Sequence, residues 1–135
     1  MNRILIVEDN HDVLWVVKIV LKRYGFKVMA IPRGEDVMAK TKTFRPHLIL
    51  LDVVLSGISG IDVCNELKGN EKTKEIPIIM FSAHANMNDI LKLSKPDDFI
   101  AKPFDVNELV KKIKHQVEKH YDDYGRRKKV QSSSK

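Results

Sequence analysis

Two periodicities alternate along this chain. Short apolar runs rich in β-branched residues fall at Arg3–Val7, Phe26–Ile31, Leu48–Val53, Ile76–Phe81 and Phe99–Ala101, and each reads as a strand. Between them, apolar positions recur every three or four residues. Val13, Val16, Val17, Val20, Leu21 and Tyr24 predict a helix over Asp12–Tyr24 that packs on the sheet through this stripe and stops at Gly25. Glu35–Thr43 predicts a weaker second helix, and Gly60–Lys68 a third, with Ile61, Cys64 and Leu67 on one side. Asn86–Leu93 predicts a short fourth helix. A fifth starts at the cap Asp105, with Glu108 closing a capping box and Val106, Leu109, Val110, Ile113 and Val117 as the buried stripe. The third and fourth strands are apolar on both faces. Five βα units with such strands imply a parallel sheet with helices on both faces, and ligands at the C-terminal strand ends.

Composition narrows the class. With 135 residues, 43% of them apolar, the prior is one globular domain. The longest apolar runs are five residues, such as Val13–Val17, so no membrane helix is expected. The N-terminus shows no signal-peptide pattern. The single cysteine, Cys64, excludes an internal disulfide and a cysteine-based zinc site, and it fits a reducing cytoplasm. The net charge is +6; residues 121–135, with five basic and two acidic residues, carry +3 of it. This segment reads as a basic, flexible C-terminal tail following a domain over residues 1–120. No aromatic-rich basic strand or helix-turn-helix pattern accompanies the charge, so nucleic acid is not an expected partner.

The chemistry sits at the strand ends. Glu8 and Asp9 follow the first strand, Asp52 ends the apolar run of the third, Ser82 follows the fourth and Lys102-Pro103 the fifth. A carboxylate after one strand is ordinarily a cap or turn residue. Three carboxylates, a hydroxyl and an ammonium at one mouth are not explained by packing. Clustered carboxylates call for a cation, and oxygen-only ligands favour Mg²⁺, with Mn²⁺ as the substitute. An Asp52 oxygen can attack a phosphoryl group to form an acyl phosphate, with the cation, Lys102 and Ser82 stabilising the equatorial oxygens.

The motifs Ile4-Leu5-Ile6-Val7-Glu8-Asp9-Asn10, Leu48-Ile49-Leu50-Leu51-Asp52, Gly60 eight residues past that aspartate, Ile78-Ile79-Met80-Phe81-Ser82-Ala83 and Asp98-Phe99-Ile100-Ala101-Lys102-Pro103-Phe104 occur in order. Together they resemble the receiver domain of two-component response regulators, over roughly residues 1–120. The resemblance implies a flavodoxin-like, doubly wound, five-stranded parallel sheet. It implies Asp52 as phosphoacceptor, Asp9 as direct metal ligand, Glu8 acting mainly through water, and Val54 offering its backbone carbonyl to the metal. Ser82 and Phe99 would form the switch pair and Lys102 would contact the phosphoryl group. The implied partners are a histidine kinase or phosphotransfer protein and an unnamed downstream protein, with phosphorylation-dependent dimerisation as an option. The implied activity is self-phosphorylation and self-dephosphorylation only, not that of a turnover enzyme.

Three features depart from the family pattern. Ser56 replaces the usual proline four residues after the phosphoacceptor, which suggests a more mobile loop. The stretch from Ser82 to Lys102 is about two residues short, which suggests a short or displaced fourth helix. No effector domain follows in this sequence. The alternatives weigh less. An adaptor that binds partners without phosphorylation has no need of the full acidic set. An aspartyl phosphatase would carry Asp-x-Asp where this chain has Asp52-Val53-Val54. A flavin site would not place Glu8-Asp9 against phosphate. Cys64 reads as core, His47 as a turn residue, and His115 and His120 as solvated. His84 reads as a loop residue near the phosphate mouth. Leu14 and Trp15 lie off the helix-one stripe, either folded against the fifth helix or forming a partner patch.

Overall fold

The computed structural model describes residues 2–55, 57–82 and 87–133. Its strands are β1 (Arg3–Val7), β2 (Lys27–Ile31), β3 (Leu48–Asp52), β4 (Ile78–Ser82) and β5 (Asp98–Ala101). The helices are α1 (His11–Arg23), α2 (Val37–Phe44), α3 (Gly60–Lys68), α4 (Met87–Leu93) and α5 (Val106–Ser133), with a 3-10 turn at Gly34–Asp36 before α2. All pairings are parallel, in the order β2-β1-β3-β4-β5. The expected doubly wound sheet is therefore present. The order reverses between β1 and β3, and the crevice beyond their C-terminal ends is where such sheets bind ligands.

Alternation along each strand divides the core in two. Ile4, Ile6, Leu48, Leu50, Ile79 and Phe81 face α1 and α5, meeting Val17, Leu21, Leu109, Val110 and Ile113. Leu5, Val7, Ile49, Leu51, Ile78 and Met80 face the other helices, meeting Val37, Val63, Cys64, Leu67 and Ile90. Both layers are buried, which is why the central strands have no polar face. Asn10 caps α1 by accepting from the backbone N–H groups of Asp12 and Val13. Asp105 caps α5 the same way, from Asn107 and Glu108.

Several expectations change in detail. β4 begins at Ile78 rather than Ile76, because Pro77 has no N–H for the ladder and Ile76 donates to Thr73 in the preceding turn. The α1 stripe is narrower than its spacing suggests: Val17 and Leu21 are buried, whereas Val16 and Tyr24 are exposed. Trp15 is 62% exposed, so it does not fold against α5. The segment expected to fray is helical through Ser133. α4 is short, at seven residues. Ser56 and His84 lie outside the described residues, and so does the side chain of His120.

Candidate phosphoacceptor site

Four backbone segments converge at the C-terminal edge of the sheet. Glu8 and Asp9 leave β1, Asp52 ends β3, Ser82 ends β4, and Lys102 follows β5. Glu8 and Asp52 are buried, at 1% and 4% exposure, while Asp9 is half-buried. One oxygen from each of the three carboxylates lies within 4.8 Å of the others. Lys102 Nζ donates to Glu8 Oε1 and to Asp52 Oδ2, each at 3.0 Å. Its ammonium also lies 4.6 Å from the centroid of the Phe81 ring, a cation–π contact that holds the lysine from below. The Lys102-Pro103 peptide is cis, and the Lys102 N–H donates to the Ser82 carbonyl at 2.9 Å.

The charge balance is unequal. Burial, and then the neighbouring Asp52 carboxylate, pushes the Glu8 carboxyl up to about 8, against a smaller downward pull from Lys102. Glu8 Oε2 is buried with no hydrogen-bond partner. A buried, unpartnered carboxylate oxygen beside two more carboxylates fits a divalent cation held by oxygen ligands. Glu8, Asp9 and Asp52 are therefore suited to hold one.

Local packing fixes Asp52. The Val54 N–H donates to Asp52 Oδ1 at 3.1 Å, while the Val54 side chain stands 61% exposed at the mouth. The Gly60 N–H donates to the Val53 carbonyl at 2.9 Å, and a Cβ at Gly60 would run into the Asp52 carbonyl. That close approach is the physical reason for glycine at this position. On the far side of the loop, Glu35 Oε1 accepts from the Ile58 N–H at 3.2 Å and packs on Gly57, whose φ is +85°. Ser82 is buried at the top of β4. Phe99 is buried in the core layer facing α3 and α4, in register with Met80. Every site residue read from the sequence thus lies on or just beneath this edge. Sequence reasoning missed Phe81 under Lys102 and Glu35 behind the β3–α3 loop. Phe81 reads as ordinary core in an apolar strand, and Glu35 is distant in sequence from the loop it ties.

Comparison with known proteins identifies the family. The sequence pattern of the response regulator receiver domain matches residues 4–114, and the chain belongs to that family. It is 33% identical over 124 residues to the DNA-binding response regulator MtrA of Mycolicibacterium smegmatis, covering 90% of this chain and 53% of the relative. It is 34% identical over 116 residues to the DNA-binding dual master transcriptional regulator RpaA of Synechocystis, covering 84% of this chain and 48% of the relative. The chain thus spans about half the length of the curated relatives it matches. Among solved structures, a putative response regulator from Chloroflexus aurantiacus superposes with a TM-score of 0.80 at 28% identity, covering 86% of this chain and 97% of that one. The receiver domain of a Pseudomonas aeruginosa sensor histidine kinase gives 0.79 at 28% identity with the same coverages, and it holds a magnesium ion in its active site cleft. Receiver domains are signalling modules rather than classical enzymes. The relatives' names include DNA binding, so the expectation that nucleic acid is not a partner gains no support. No described helix is long and apolar enough to cross a membrane.

Proposed function

We propose that this chain is a phosphorylation-switched receiver that accepts a phosphoryl group on Asp52 from a histidine kinase or a phosphotransfer protein. The observation that carries the reading is Lys102 bridging buried Glu8 and Asp52 at 3.0 Å beside a third carboxylate. Adaptor receivers that bind without phosphorylation have no use for that arrangement. An Asp52 oxygen attacks the phosphorus, the bond from phosphorus to the donor breaks, and an acyl phosphate forms. Lys102 exchanges its Asp52 contact for a phosphoryl oxygen and keeps its hold on Glu8. The Ser82 hydroxyl turns toward another phosphoryl oxygen, and Phe99 fills the space it leaves, which changes the partner-binding face. Glu8, Asp9, Asp52 and the Val54 carbonyl would hold Mg²⁺, or Mn²⁺ in its place, whose charge offsets the three equatorial oxygens.

The proposed setting is the cytoplasm, over residues 1–120 as the receiver with 121–135 as a basic extension. The output is a changed protein contact, dimerisation included, and the relatives' names make a DNA-linked response part of the proposal. Beryllofluoride, a phosphoryl mimic, tests the reading by fluorine NMR. A bound signal is expected in wild type with Mg²⁺ and none in Asp52→Asn; equal binding by the two proteins contradicts it.

A further inference from the structure

A second hollow, of about 600 Å³, lies at the opposite end of the sheet. Thr41 and Lys42 of α2, Arg45 and Pro46 of the following turn, and Lys72, Thr73 and Ile76 before β4 line it. Pro46 precedes β3 and Asp52 ends it, so extended chain separates the two sites by roughly 20 Å. The hollow therefore has no part in the phosphoryl chemistry.

Its chemistry is that of an anion site. Three cations, Lys42, Arg45 and Lys72, line it, and no Asp or Glu does. Among the described residues none of the three enters an ion pair. Thr41 is 2% exposed, and its hydroxyl has no hydrogen-bond partner. Its oxygen is closed off from solvent on the buried side of α2, so the hollow's polar contacts come from the three cations. The neighbouring Thr73 hydroxyl is already committed, donating to the Leu67 carbonyl at 2.6 Å. The carbonyls at the C-terminus of α2 would repel an anion, but those of Thr41 and Phe44 are already committed to donors. Arg3 Nε donates to the Phe44 and Arg45 carbonyls at 3.0 and 2.8 Å, and the Arg45 N–H donates to the Thr41 carbonyl at 3.0 Å. Pro46 and Ile76 supply an apolar wall.

We propose that this hollow binds a small molecule carrying two or more linked phosphate groups, held by Lys42, Arg45 and Lys72. Three cations lining one hollow match the charge of a diphosphate better than that of a monophosphate. The volume falls in the range of small-molecule sites. Calorimetric titration of the full chain with ADP and with inorganic pyrophosphate tests the proposal. The buffer contains a chelator, so that no metal draws phosphate to Asp52. Binding with a Kd below about 1 mM is expected for at least one probe. Tighter binding of ADP identifies a nucleotide, and equal binding identifies the diphosphate alone; either supports the site. The triple variant Lys42→Gln, Arg45→Gln, Lys72→Gln should weaken binding at least about tenfold while still binding beryllofluoride with Mg²⁺ at Asp52. In wild type, ADP or pyrophosphate should move the backbone amide NMR signals of Thr41 and Lys72. No binding of either probe, undiminished binding by the triple variant, or loss of binding in Asp52→Asn overturns the proposal.

Discussion

Glu8 makes the apo protein's stability fall as pH rises. Its carboxyl titrates near 4.5 in the unfolded chain and near 8 in the folded one. Between those values the folded state holds a proton that the unfolded state has released, so unfolding becomes easier with each step up in pH. The stabilisation is complete below about pH 4.5 and gone above about pH 8. Other carboxylates also titrate at the acid end, so the informative quantity is wild type minus Glu8→Gln between pH 5.5 and 8.5. At about 1.4 kcal/mol per unit, the window holds a ceiling of about 3 kcal/mol. Lys102 drawing closer and water entering the cleft reduce this, so a relative gain for the variant of about 1–3 kcal/mol, or roughly 3–10 °C in Tm, is expected. Thermal melts followed by circular dichroism in a chelator give the number. Repeating them in saturating Mg²⁺ should shrink the wild-type fall, because an ionised Glu8 then has a counter-charge. Parallel wild-type and Glu8→Gln curves across the window would refute the assignment of the buried proton to Glu8.

Gly60→Ala drives a Cβ into the Asp52 carbonyl and should cost about 1–3 kcal/mol; an unchanged Tm would show that the loop yields freely. Trp15→Ala should slow transfer from a cognate phosphohistidine donor about tenfold or more yet leave acetyl phosphate labelling unchanged, since Trp15 stands exposed on α1; equal slowing with both donors would assign it to the fold. Val54→Asn should shorten the phosphoryl lifetime in a dephosphorylation time course, because an amide at the exposed mouth can orient water and valine cannot; a longer lifetime contradicts this.

Much of the site was legible because β-α units place chemistry at predictable points. β1 and α3 occur with the bounds read from the sequence, and the residues after β1, β3, β4 and β5 converge as expected. Misreadings arise where tertiary contacts decide. Spacing alone placed Val16 and Tyr24 on the buried side of α1, although the sheet takes up only a narrower face. The charged segment after residue 120 suggested fraying, yet its backbone continues α5 as helix. The Phe81 contact with Lys102 and the cationic hollow at Lys42, Arg45 and Lys72 join residues far apart in the chain, and no spacing announces them.

The central claim, that Asp52 receives the phosphoryl group, is tested most directly by intact mass and peptide mapping after incubation with acetyl phosphate and Mg²⁺. The account predicts one added phosphoryl group, on the peptide containing Asp52. It should be released by hydroxylamine and absent without Mg²⁺ and in Asp52→Asn. Labelling of the Asn variant to the wild-type extent, or a phosphoryl group mapped to another residue, would contradict it.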